Sequence, residues 1–103
     1  MSVTYDQARQ FGKAYVGALN TSPEAFAALF APGADVRVAG APASPAGVRK
    51  ATPPGRSGFR RARLDPPDVL LTVRVLDRAA ASVDDRVHRL RLDDEGRITA
   101  LEA

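Results

Sequence analysis

The chain has no cysteine, no tryptophan and a single histidine among its 103 residues. Without thiols, disulfides and thiolate metal sites are excluded. A lone imidazole cannot build the usual histidine cluster, so neither a metal nor a cofactor is expected. No apolar run approaches the roughly 20 residues that a membrane-spanning helix requires. The opening segment, MSVTYDQARQ, lacks a basic stretch followed by an apolar core. The expectation is therefore a protein without a secretory signal, located in the cytoplasm.

What is present suits one globular domain spanning 1–103. The hydrophobic share is 45%, most of it alanine and valine, with four Phe and two Tyr. A chain of this size buries somewhat over ~60% of its unfolded surface, enough for one small-residue core. The net charge is +3, but its distribution is uneven. No acidic residue lies between Asp35 and Asp65, while Arg37, Arg49, Lys50, Arg56, Arg60, Arg61 and Arg63 all do. Such a segment can bind an anion or nucleic acid, or it can be a solvated arginine-rich surface. The arginines are not interleaved with a run of stacking aromatics, which disfavours nucleic acid.

Thr4 and Gln7 have the spacing of a capping box, and Phe11, Tyr15 and Leu19 then recur as an apolar helical stripe. Gly12 and Gly17 lower helix propensity there, so packing must hold this helix. Ser22-Pro23-Glu24 starts a second helix, expected to run through AFAALF to the breaker pair Pro32-Gly33. ADVRVAG alternates as a strand, and Ser44-Pro45 opens a short third helix to about Ala51. Four strands follow: GFRRARL, VLLTVRVL, VDDRVHRLRLD and RITALEA. Pro66-Pro67 separates the first two, and the last two are joined by a turn over Asp93 to Gly96. The order predicts an α+β domain with helices on one face of a mostly antiparallel sheet.

Two stretches carry a family resemblance. AYVGALNTSPEAFAALFAPGADVRVAG resembles the opening of the nuclear-transport-factor-2-like superfamily, which includes ketosteroid isomerase and the SnoaL-like polyketide cyclases. The shared features are Tyr15, Leu19, Asn20, Leu29, Phe30 and the strand Asp35 to Val38. RVHRLRLDDEGRITALEA is similar to the family's last hairpin. The resemblance implies a cystatin-like α+β roll, in which a strongly curved sheet closes over the N-terminal helices around an apolar cavity. It also implies pairing as a homodimer through the outer sheet face. One fold carries many activities, so the chemistry must come from the site.

Alternation in the histidine-bearing strand sets Asp84, Arg86, His88, Leu90 and Leu92 on one face. The other face would carry Val83, Asp85, Val87, Arg89 and Arg91. Arginines at 89 and 91 are poor core residues, so Leu90, Leu92 and His88 are expected to point inward. The resemblance places the family's oxyanion-binding tyrosine at Tyr15 and its oxyanion-hole acid at His88. It places the catalytic base at Val38, which cannot accept a proton, so the steroid-isomerase mechanism is not expected.

The catalytic candidates are thus His88 as acid or base and Tyr15 as hydrogen-bond donor. The candidate substrate-binding residues are Val38, Arg86, Asp84, Phe11, Leu90 and Phe30, and the deciding observation is whether a cavity of roughly 300 Å³ or more exists beside His88. The substrate would be a small apolar carbonyl or polyketide-like molecule, transformed by isomerase- or cyclase-type proton transfer. Other readings stay open. His88 can be a half-buried histidine satisfied by a backbone carbonyl or by Tyr15, and Arg86 with Asp84 an exposed ion pair. Asp35 or Arg37 can add a polar group to the cavity. The domain can be a non-catalytic ligand-binding or dimerisation module, or an anion binder through Arg49 to Arg63.

Overall fold

A computed structural model describes residues 3–52, 57–77 and 81–103. Three helices, α1 (Tyr5–Thr21), α2 (Pro23–Ala27) and α3 (Pro45–Ala51), accompany six strands. These are β1 (Phe30–Val38), β2 (Ala41–Pro42), β3 (Ser57–Asp65), β4 (Asp68–Asp77), β5 (Ser82–Leu92) and β6 (Ile98–Glu102). They form one sheet in the order β2-β1-β6-β5-β4-β3, antiparallel except for the β1–β6 pair. The expected α+β class and the mostly antiparallel sheet are both present.

Local chemistry explains the helix starts. The Thr4 hydroxyl accepts from the Gln7 amide at 3.2 Å and the Gln7 side chain accepts from the Thr4 amide at 2.9 Å. Ser22 and Ser44 cap α2 and α3 in the same way, each followed by proline at the first helical position. Each cap satisfies a helix N-terminal amide that would otherwise lack a partner.

The second helix ends sooner than its sequence suggests. Leu29 and Phe30 continue the apolar pattern of AFAALF, yet α2 stops at Ala27 and Phe30 begins β1. The cause is a long-range pairing: the Ile98 amide donates to the Leu29 carbonyl at 2.9 Å, and Phe30 pairs with Ile98. Pro32-Gly33 then falls inside β1, where the register shifts between Phe30 and Asp35. A bulge tolerates a proline that a regular ladder would not. A second unforeseen feature is the two-residue hairpin from β1 to β2, with Ala39 at φ 52° and Gly40 at φ 80°.

Register shifts between Phe59 and Arg61 and between Arg91 and Leu92 bend β3 and the β5–β6 hairpin. The bent sheet packs its inner face on α1, burying Val69, Leu71, Val73, Val75, Leu90 and Leu101 against Tyr15, Leu19 and Phe26. Gly12 is the point of closest approach. A Cβ there would lie 2.3 Å from the Phe59 ring, so only glycine lets β3 sit this close to α1. At the far end, the Asp93 carboxylate accepts from the amides of Glu95 and Arg97, and Gly96 takes φ 78°, closing the β5–β6 turn as expected.

Candidate functional site

Tyr15 reaches the interior from the buried stripe of α1, and His88 reaches it from the inner face of β5. Val87 and Arg89 flank the histidine and face outward, as alternation requires. Across the ladder, His88 stands opposite Leu71 of β4, which is itself fully buried. The Tyr15 hydroxyl and His88 Nδ1 lie 2.6 Å apart, with the two rings edge-on at 86°. Tyr15 is 0% and His88 1% exposed, so the bond is sealed from solvent.

Burial decides the charge state of both partners. It pushes the Tyr15 phenol far above its usual range, so the proton stays on oxygen. Burial first, and the nearby Arg86 charge second, pull the His88 imidazole down to about 4. The ring is therefore neutral at pH 7, with one donor and one acceptor nitrogen. Tyr15 has no other hydrogen-bond partner among the described residues. Its hydroxyl donates to Nδ1, which assigns the ring proton to Nε2. A neutral donor and a neutral acceptor, both desolvated, form one strong internal pair.

Aromatic rings enclose the tyrosine. Phe26 stands edge-on at 5.2 Å between ring centroids, Phe30 continues behind Phe26 at 5.2 Å, and Phe11 lies 6.2 Å away, one turn earlier in α1. Leu90, two residues after His88, is fully buried on the same face. The structure thus gathers Tyr15, His88, Phe11, Leu90 and Phe30 into one interior region. Val38 is only partly buried, on β1, with β6 between it and β5.

Arg86 and Asp84 form an exposed ion pair at 3.6 Å. Arg86 also donates to the carbonyl of Ala51, the last residue of α3, and so ties that helix end to β5. Arg49 does the same for α1, donating to the Leu19 carbonyl at 3.3 Å. Asp35 and Arg37 turn outward as a 3.5 Å pair, away from the interior.

Cavities lie around the pair rather than on it. One of about 190 Å³ opens between the start of α1 and the β5–β6 turn, lined by Val3, Gln7, Phe11, Leu92, Asp93, Asp94 and Gly96. A larger one, about 640 Å³, adjoins it and reaches the β3–β4 turn at Pro66 and Pro67. A third, about 270 Å³, lies on the outer face among Asp35, Arg37, Asp68, Arg89 and Arg91. A fourth, about 350 Å³, is lined by Arg60 and Arg61. None of these four is lined by Tyr15 or His88.

The mouth residues Val3, Gln7 and Leu92 are absent from the candidates read off the sequence. Their signal was position alone: the first turn of α1 and the end of the inward row of β5. Asp68 was also missed, although Arg89 and Arg91 grip its carboxylate at 2.8 and 3.1 Å and hold its pKa below the usual carboxylate range. No helix among the described residues is long and apolar enough to cross a membrane.

Helices laid along the inner face of one strongly bent, six-stranded sheet define an α+β roll. More specifically, this is the nuclear-transport-factor-2-like fold, as found in SnoaL-like proteins. The chain is similar to a SnoaL-like protein of unknown function from Burkholderia thailandensis, with TM-score 0.76 and 14% identity over 99% of this chain and 96% of that one. It is also similar to a de novo designed protein of this fold, with TM-score 0.72 and 13% identity over 100% and 87% of the two chains. A de novo designed protein with a curved β-sheet matches with TM-score 0.73 and 17% identity over 96% and 84%. By sequence, no family model and no curated protein matches the chain.

Proposed function

We propose that the chain is a small SnoaL-like ligand-binding domain. It holds an apolar molecule bearing one ketone oxygen, with the Tyr15–His88 pair as the polar anchor. The observation that carries this reading is the 2.6 Å hydrogen bond between two fully buried polar side chains in an otherwise apolar interior. Neither group has a charge to balance there, and a purely apolar core would avoid the desolvation both have undergone.

The chemistry follows from exchange of one hydrogen bond. A ligand ketone accepts from the Tyr15 hydroxyl and releases Nδ1 of His88. The freed nitrogen, fully unprotonated at pH 7, takes a proton from the carbon next to the carbonyl. The enolate oxygen is held by the Tyr15 hydroxyl; return of the proton to the same carbon gives exchange, and in a ketone with a double bond at the β,γ position its return to the γ carbon of the dienolate completes an isomerisation. With its conjugate acid at about 4, the imidazole has the basicity of a carboxylate. The step needs no cofactor.

The test is exchange of the α-protons of cyclohexanone in heavy water, followed by NMR. The expected result is exchange above the buffer rate with the native chain, falling at least ~10-fold in Tyr15→Phe and in His88→Leu. Neither binding nor exchange with the native chain would contradict the proposal. Binding without exchange would leave a non-catalytic module, a reading supported by the absence of Tyr15 and His88 from the walls of the four cavities.

A homodimer through the outer sheet face belongs to the same proposal. Val83 and Val87 are each 57% exposed there, and Leu76 lies directly across from Val83. Sedimentation velocity on Val87→Asp against the native chain checks it: the dimer is expected to dissociate, and an unchanged sedimentation profile would refute this face.

A further inference from the structure

We infer that Phe11 sets the size of molecule that reaches the Tyr15–His88 pair, admitting a single-ring ketone and excluding a fused-ring one. This rests on the ligand-binding reading above.

Phe11 is the aromatic ring that belongs to both places. It lines the 190 Å³ mouth cavity, and its centroid lies 6.2 Å from that of Tyr15. Along α1 the sequence Gln7, Phe11, Tyr15 descends one turn at a time from the mouth to the pair. Along β5 the sequence Leu92, Leu90, His88 descends beside it. The route inward therefore passes Phe11. On the neighbouring flank of the helix, Gly12 is buried under the Phe59 ring with no room for a Cβ, so entry there is closed. Behind Tyr15, Phe26 and Phe30 are stacked edge-on and Phe26 is fully buried. Phe11 is only partly buried.

The dimensions set the ligand class. An apolar cavity of ~150 Å³ accepts benzene. The mouth, at about 190 Å³, therefore holds one six-membered ring while Phe11 stays in place. The adjoining 640 Å³ cavity is lined by neither Phe11 nor Tyr15, so a second fused ring meets the Phe11 phenyl group on the way to the pair. The rim carries the carboxylates of Asp93 and Asp94. The Asp93 carboxyl is held below the usual range by the amides it accepts from and by Arg97, so it is ionised at pH 7. Such a rim selects neutral ketones over carboxylates and phosphates.

His88 is the only histidine, so its imidazole resonances report on the inner end of this route without ambiguity. The experiment follows them by NMR while cyclohexanone or decalone is added to the native chain, Phe11→Ala, Phe11→Leu and Phe11→Trp. In the native chain cyclohexanone is expected to shift the imidazole signals and decalone to leave them in place. Phe11→Ala is expected to admit decalone, with at least ~10-fold tighter binding than the native chain. Phe11→Leu, the milder change should the alanine variant fail to fold, moves the same way by a smaller factor. Phe11→Trp is expected to weaken cyclohexanone at least ~10-fold. An imidazole that responds to cyclohexanone, with the same preference between the two ketones in every folded Phe11 variant, would overturn the role of Phe11 alone. Signals that no ketone moves in any variant would overturn the ligand-binding reading, and Phe11 with it.

Discussion

Acid should weaken this fold in a pH window that belongs to one side chain. Burial holds the His88 imidazole at about 4 in the folded chain, against the ordinary histidine value of 6.5. Its folded pKa is depressed, so below pH 6.5 the unfolded chain takes up a proton that the folded chain refuses. Stability is therefore full above pH 6.5 and falls as pH drops towards 4, where the folded ring also protonates. The slope is ~1.4 kcal/mol per pH unit, and the window of about 2.5 units gives a loss of about 3 kcal/mol. That is a large fraction of the ~5–15 kcal/mol that holds a typical domain together. The carboxylates act lower: the pKa values of Asp68, Asp85 and Asp93 are depressed, so their contributions fade only as pH falls below the ordinary aspartate value of 3.8. Urea unfolding midpoints at half-unit steps from pH 7.5 to pH 4.5 separate the two windows. The native chain should lose stability steadily below pH 6.5, and His88→Leu should be nearly flat over the same range. A native profile parallel to that of His88→Leu would refute the reasoning, because it would mean that the imidazole protonates in the folded chain as easily as in the unfolded one.

Tyr15→Phe leaves Nδ1 buried without its donor and should cost about 1–3 kcal/mol in urea denaturation. Combined with His88→Leu it should cost less than the sum of the two single changes, by about 1 kcal/mol or more; strict additivity would show that the bond contributes nothing. Gly12→Ala drives a methyl group into the Phe59 ring and should destabilise by about 1–3 kcal/mol, with Phe59→Leu recovering part of the loss; a neutral result would show that β3 can move off α1. Ala39 holds a left-handed conformation that disfavours alanine, so Ala39→Asn should raise stability by about 1 kcal/mol in thermal and urea unfolding. No gain there would place the β1–β2 turn in another conformation.

The helix starts and the inward row of β5 were legible because each rests on local chemistry. Thr4 with Gln7, Ser22 with Pro23 and Ser44 with Pro45 carry their cap signals within four residues. His88 could be placed inside because Arg89 and Arg91 had to be outside, and two-residue periodicity did the rest. The end of α2 was not legible, since Leu29 and Phe30 are apolar whether they continue a helix or start a strand. The choice is made by Ile98, far away in the chain, whose amide binds the Leu29 carbonyl. The β1–β2 hairpin was hidden for a related reason: Ala39 is not a residue that announces a positive φ.

The candidate site shows the same division. Its two polar members and the nearby rings of Phe11 and Phe30 were found by position, but not the Phe59 ring that closes over α1. The closeness of Phe59 to Gly12 depends on how far β3 bends, which the bulge at Phe59 and Arg61 decides. The sequence left Arg86 either as a substrate-binding residue or as half of a surface pair. It is paired with Asp84, and it also closes the end of α3 through the Ala51 carbonyl, a contact no local pattern encodes.

Everything functional here rests on a neutral imidazole that accepts a proton-bearing phenol in a dry interior and gives that bond up to a ketone. The most direct test is the nitrogen NMR spectrum of His88, the only imidazole in the chain, at pH 5.5 with and without saturating cyclohexanone. The expected spectrum is that of a neutral ring protonated at Nε2, with the Nδ1 signal moving when the ketone binds. A ring already half or more protonated at that pH, or an Nδ1 signal that the ketone never moves, would contradict the account.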